Sequence, residues 1–118
     1  MKKASPEHSF QVFAVNYLRW NGIYCFTVPN GGKRDAKTGA YLKKEGQLAG
    51  VADLVLCLPG GEAVFVELKA GKNGQQESQK RFQKNVEMLG FRYLLWRMPQ
   101  DVMTFVAARR AQVEENVE

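Results

Sequence analysis

Apolar residues recur at helical spacing near the start of the chain, at Phe10, Phe13, Ala14, Tyr17 and Leu18. Ser5-Pro6 opens this helix, because Ser is a good N-cap and Pro loses nothing at the first helical position. Gly22 ends it. Ile23 to Val28 reads as a strand. Two further runs, Gly50-Val51-Ala52-Asp53-Leu54-Val55-Leu56 and Ala63-Val64-Phe65-Val66-Glu67-Leu68-Lys69, flank Pro59-Gly60-Gly61 and read as consecutive strands with a tight connection. A helix follows from about Gln76 to Leu89, with Phe82, Val86 and Leu89 as its apolar stripe and Gly90 at its end. Phe91 to Trp96 is a fourth strand. Pro99 starts a last helix with Val102, Phe105 and Val106 inward and an acidic, fraying end from Gln112 to Glu118. Between Pro29 and Leu48 the chain is long, polar and Gly-rich. A loop of that length in a small domain is functional or forms its own hairpin, and Lys37-Thr38-Gly39-Ala40-Tyr41 is the predicted tip.

This order predicts an α/β architecture, a central mixed β-sheet flanked by helices. The crossover from the Glu67 strand through the following helix to the Phe91 strand should be parallel. At 118 residues, with 45% hydrophobic and 25% charged positions, residues 1–118 are expected to form one domain. No apolar run approaches a membrane helix and no signal peptide is visible, so the expected location is the cytoplasm. Cys25 and Cys57 lack CxxC spacing and read as buried, reduced thiols. Trp20 and Trp96 offer stacking surface for bases, but aromatic residues at such positions more often belong to the core.

Three charges interrupt the apolar strands. Asp53 stands near the start of one, and Glu67 and Lys69, two apart, share a face of the next. Such charges are costly unless they meet each other or a metal. Paired carboxylates suit Mg²⁺, which keeps waters and binds substrate phosphate. Net charge is +5, and its distribution sharpens the reading. Lys33, Arg34, Lys37, Lys43 and Lys44 precede the acidic centre, and Lys72, Lys80, Arg81 and Lys84 follow it. A phosphate backbone needs cations around a hydrolytic site and carboxylates within it. Glu7 and Gln79 lie on the inward stripes of their helices. Glu7 also reads as a partner for the helix dipole, and Gln79 as a backbone cap. His8, the single histidine, reads as an exposed turn residue.

Asp53 followed by Glu67-x-Lys69 resembles the PD-(D/E)xK nuclease superfamily, whose fold is that of restriction endonucleases. Gly46, Gly50-Val51-x-Asp53-Leu54, Gly71, Gln79, Glu7 and Asn30-Gly31-Gly32 with Arg34 complete an ordered set that resembles the VRR-NUC family in its short, stand-alone, phage-associated form. The resemblance spans about Glu7 to Gly90. Ala52 departs from it, standing where the superfamily name has Pro, which is not a ligand.

The resemblance implies a metal-dependent DNA endonuclease acting in replication and repair. Asp53 and Glu67 would hold Mg²⁺ or Mn²⁺, with the Leu68 backbone carbonyl as a further ligand and Glu7 acting directly or through a water. Lys69 would position or deprotonate the attacking water or offset phosphate charge, and Gln79 would orient Lys69 or the nucleophile. Asn30, Lys33, Arg34, Lys43, Lys44, Lys72 and Lys80 are the candidate nucleic-acid contacts, although Asn30-Gly31 more commonly makes a turn. Branched DNA such as a Holliday junction, a homodimer and a bacterial or phage-infected cell are further implications. Other readings are nicking of flaps or duplex, a non-catalytic nucleic-acid-binding module on a nuclease fold, and a small-molecule α/β enzyme; the last has no Gly-rich phosphate loop to support it.

Overall fold

The computed structural model describes residues 5–29 and 35–116. Its elements are α1 (Pro6–Trp20), β1 (Tyr24–Thr27), α2 (Ala36–Lys44), β2 (Leu54–Leu58), β3 (Glu62–Leu68), α3 (Glu77–Met88), β4 (Arg92–Trp96) and α4 (Pro99–Asn116). The strands form one sheet in the order β1-β2-β3-β4. β1 and β2 pair antiparallel, as do β2 and β3, whereas β3 and β4 are parallel. The mixed sheet and the parallel crossover are therefore those expected from the sequence.

Strand alternation sorts the sheet into two faces. Cys25, Leu54, Leu56, Leu58, Val64, Val66, Leu68 and Trp96 point to one side. There they bury against Phe10, Ala14 and Leu18 of α1 and Val102 and Val106 of α4. On the other side Ala52, Phe82, Val86 and Tyr93 form a smaller cluster beneath α3, with Phe65 and Val51 against it. Phe65 meets Phe82 and Phe91 edge-on, with ring centroids 5.3 and 5.4 Å apart. Among the described residues no helix is long and apolar enough to cross a membrane.

Side-chain caps fix the helix starts. Ser5 Oγ accepts from the His8 amide at 3.1 Å, as its place before Pro6 predicts. Asp101 Oδ2 accepts from the amides of Arg97 and Met98 at 2.7 and 3.2 Å, which anchors α4 to the end of β4.

Four details differ from the sequence reading. Residues 37–41 are not a hairpin tip: they lie in α2, because Asp35 caps the helix through Thr38 N at 2.6 Å and the flanking Ala and Lys residues favour a helix, so that Gly39 is carried in its interior. α2 packs against no other helix or strand. Cys57 is exposed, since it points to the α3 side and α3 packs on β4, leaving the β2 part of that face uncovered. Trp20, at the last position of α1, is 88% exposed and is not a core residue, whereas Trp96 is buried. The acidic end does not fray from Gln112: α4 continues through Asn116.

Gly50 holds the segment before β2 against α3. Its φ is +83°, and a Cβ there would lie 2.3 Å from the Ser78 carbonyl carbon and oxygen. Both the left-handed backbone and the contact exclude a side chain. Gly50→Ala should lower the unfolding free energy by about 2–5 kcal/mol, combining left-handed strain with overpacking, read as a reduced urea midpoint.

Candidate active site

The β2–β3 register builds the site. Leu54, the first residue of β2, pairs with Val66, so Asp53, immediately before β2, comes beside the end of β3 that carries Glu67. Alternation sends Glu67 to the α3 side of the sheet, and Asp53 lines a cleft with Gln76, Ser78 and Gln79 at the start of α3. Asp53 Oδ2 accepts a hydrogen bond from Leu68 N at 2.7 Å, which ties the aspartate to the end of β3. The Asp53 carbonyl accepts from Val28 N at 2.9 Å and from Thr27 Oγ1 at 3.1 Å. Lys69 N donates to Trp96 O at 2.9 Å, extending the parallel β3–β4 ladder by one residue. Lys69 thus follows Glu67 on the same face, and its side chain is buried.

Glu67 is only 1% exposed, and its carboxylate oxygens have no partner in full hydrogen-bond geometry, with Tyr93 and Gln75 as the nearest polar neighbours that act on it. Burial pushes its pKa above the ordinary carboxylate value; Tyr93, Lys69 and Gln75 pull it down, and Asp53 pushes it up further. Asp53 is also raised, first by burial and then by the Glu7 charge, against the Leu68 amide and Lys69, which lower it. Lys69 therefore sits within electrostatic reach of both acids, but no salt bridge links it to either.

The other sequence candidates divide. Glu7 is exposed and not inward-facing: as the second residue of α1 it sits at the rim, lining a 370 Å³ recess with Ala70, Gly71 and Asn73. Gln79 is half-buried and faces the site, but its Oε1 accepts from Gln76 N at 2.7 Å and closes the start of α3, so the backbone-capping alternative is the one found. Lys43 and Lys44 end α2, and Lys72 lies in the exposed loop after β3. Lys80 pairs with Glu77 at 3.3 Å. Asn30, Lys33 and Arg34 lie outside the described residues.

A cleft of about 460 Å³ opens beside Asp53, lined by Gln11, Thr27, Gly50, Gln76, Ser78 and Gln79 among others. Gln11 and Thr27 went unnoticed in the sequence. Gln11 Nε2 donates to Thr27 Oγ1 at 3.0 Å, joining α1 to the strand end. Its signal was its spacing four residues from Glu7 on one helix face. Arg97 was also missed: it bonds the carbonyls of Gly71 and Asn73 at 3.3 and 2.7 Å and pins the loop that carries Lys72.

Among the described residues no three His, Cys, Asp or Glu side chains converge closely enough to hold an ion alone. Two carboxylates with unsatisfied oxygen in Glu67 do fit a hard cation that keeps part of its water shell, the habit of Mg²⁺.

No family model matches the sequence, and no curated protein matches it either. Solved structures do. One, described as a VRR_NUC domain, has a TM-score of 0.65 at 19% identity, covering 88% of this chain and 97% of its own. Another, a VRR_NUC domain protein, has a TM-score of 0.72 at 17% identity, covering 91% of this chain and 89% of its own. The chain has the fold of a VRR-NUC domain, as its sequence resemblance implied.

The raised carboxyl of Glu67 has a thermodynamic signature. From the ordinary carboxylate pKa of 4.5 up to the raised folded value, the native state binds more protons than the unfolded chain. Stability is therefore retained below that window and lost as pH rises through it. Glu67→Gln removes the loss. Without metal it should melt a few degrees above the wild type near neutral pH, and the difference should shrink towards about pH 4, as read by calorimetry.

Proposed function

From the VRR-NUC fold and two carboxylates facing a buried lysine across one strand pair, we propose that this protein is a metal-dependent DNA endonuclease. The observation that carries the reading is the burial of Glu67 beside Asp53 and Lys69 at the end of one strand pair, with no salt bridge among the described residues to offset either acid. A buried carboxylate beside a half-buried one is costly unless a cation joins them. Asp53, Glu67 and the Leu68 carbonyl would hold Mg²⁺ or Mn²⁺, with Glu7 reaching it through water from the rim. When bound, the ion lowers the pKa of the attacking water and offsets charge on the phosphate in the transition state.

The chain's own groups supply the rest. Asp53 is oriented by the Leu68 amide, which engages Oδ2, and the residue lines the cleft. Lys69 brings a cation to the same face, where it orients the water or offsets phosphate charge. Gln79 and Gln76 form the opposite wall and limit how the backbone enters. The products would be a 5′-phosphate or 3′-phosphate end and a free hydroxyl, according to which P–O bond breaks.

α2 supports DNA as the substrate. It carries Lys37, Lys43 and Lys44, buries no residue and packs on no other element, so its ammonium groups are free for a phosphate backbone. Branched DNA and a homodimer extend the same proposal: one small domain offers one site, and symmetric cuts in two strands need two sites related by a two-fold axis.

The decisive assay incubates labelled junction, flap, duplex and single-stranded DNA with Mg²⁺, Mn²⁺ or EDTA. Cleavage should require the metal. Asp53→Asn, Glu67→Gln and Lys69→Ala should each lose about 10²-fold or more in rate while still shifting DNA in a gel. A wild-type rate in either acid variant would remove the metal assignment.

Replacing Lys43 and Lys44 together with Ala should weaken duplex binding and leave cleavage at saturating DNA unchanged. Each lost phosphate contact should make the slope of log affinity against log salt shallower by about 0.9. An unchanged slope would move the DNA path towards Lys72, Arg81 and Lys84.

A further inference from the structure

The polar chain behind Glu67 has a direction. Gln75, in the loop before α3, places its amide nitrogen 2.9 Å from Gln83 Oε1 and 3.2 Å from the Tyr93 hydroxyl. A glutamine amide has two N–H donors, and these two bonds use both. The Tyr93 oxygen is therefore an acceptor towards Gln75, and its own proton must point elsewhere.

Tyr93 is buried on β4, paired with Phe65 of β3, and on the same face as Glu67 two residues further on. Glu67 is the buried acceptor next to it: its oxygens have no partner in full hydrogen-bond geometry, but the Tyr93 hydroxyl lies close enough to act on the carboxylate. We propose that Tyr93, locked by Gln75 and through it by Gln83, is a positioning residue for Glu67: its hydroxyl proton is aimed at one carboxylate oxygen and leaves the other for the cation. This rests on the metal-site reading above and adds residues that reading does not use. Electrostatics agree, since Glu67 helps hold the proton on the Tyr93 oxygen, after burial, which is the larger effect.

The arrangement solves a problem of geometry. A lone carboxylate on a strand can turn about its last bond, and a cation selects only some orientations. Partners that fix a ligand's orientation are worth roughly 10–100-fold in metal affinity or activity. The relay spans three elements, since Gln75 precedes α3, Gln83 lies within it and Tyr93 is on β4. Docking of α3 against β4 would therefore set the angle of Glu67.

Isothermal titration with Mn²⁺ tests this on the full chain. Tyr93→Phe keeps the ring and its packing and removes only the hydroxyl. It should weaken Mn²⁺ binding roughly 10-fold. Gln75→Leu should weaken it less, and the double variant should lose less than the sum of the two single losses, because both residues act on Glu67 as one network. Cleavage by Tyr93→Phe should be slow at limiting Mn²⁺ and recover at saturation, a split that a general loss of fold would not give.

A metal-free cycle separates this from the metal reading. Tyr93→Phe should lower the urea midpoint by roughly 0.5 M when Glu67 is present, and by much less in the Glu67→Leu background. Equal shifts in both backgrounds, or unchanged Mn²⁺ affinity in Tyr93→Phe, would overturn the proposal. If the wild type bound no Mn²⁺, the metal site would fall, and the urea cycle alone would decide whether Tyr93 holds Glu67.

Discussion

The antiparallel register between β2 and β3 is the constraint on which the site depends. Leu54 faces Val66, which brings Asp53, just before β2, beside the Glu67 end of β3. A slip of β2 by one residue would turn Leu54 and Leu56 out of the core, and a slip of β3 would do the same to Val64 and Val66 and turn Glu67 into it. Three things hold the register: the Gly60-Gly61 turn, with φ of +86° and +76°; the apolar alternation; and the bond from Leu68 N to Asp53 Oδ2. The same interaction thus closes the strand pair and aims a carboxylate. Fold and site are fixed by one set of contacts, so changes to the turn are felt at the acids.

The cost of this arrangement falls on the charged forms. Burial disfavours both ionised carboxylates, the Glu7 charge adds to the penalty on Asp53, and Asp53 adds to that on Glu67. Lys69 and the Leu68 amide offset part of that penalty for Asp53, but they do not satisfy the oxygens of Glu67. A chain optimised only for stability would replace such groups with apolar residues of similar volume. Keeping them makes sense where a cation completes the site, and this is the physical content of the nuclease proposal.

Much of this was legible in the sequence. The periodicity of Phe10, Ala14 and Leu18 and the strand alternation around Pro59-Gly60-Gly61 determined helix and strand positions, because burial imposes those periods. The Asp53, Glu67 and Lys69 triplet stood out because charges are rare in apolar strands. Local spacing failed where long-range packing or capping decided the outcome. Cys57 alternates like a core residue but lies on a part of the sheet that no helix covers. Glu7 matches the inward stripe, yet at the second position of α1 it reaches the rim. Lys37-Thr38-Gly39 has turn composition, but the Asp35 cap makes it a helix. Gln75 and Tyr93 carry no motif, and their pairing across 18 residues emerges only when α3 docks on β4.

α2 gives the molecule two regimes of constraint. Its residues contribute nothing to either hydrophobic cluster, so its helix–coil equilibrium is uncoupled from global unfolding. Amide exchange there should report local fraying, while exchange in β2 and β3 reports the whole domain. The same separation bears on divergence. Substitutions between Asp35 and Glu45 escape the packing penalty that polices the sheet, so this segment is free to drift or adapt in charge and length while Asp53, Glu67 and Lys69 stay fixed on a scaffold that does not register the change.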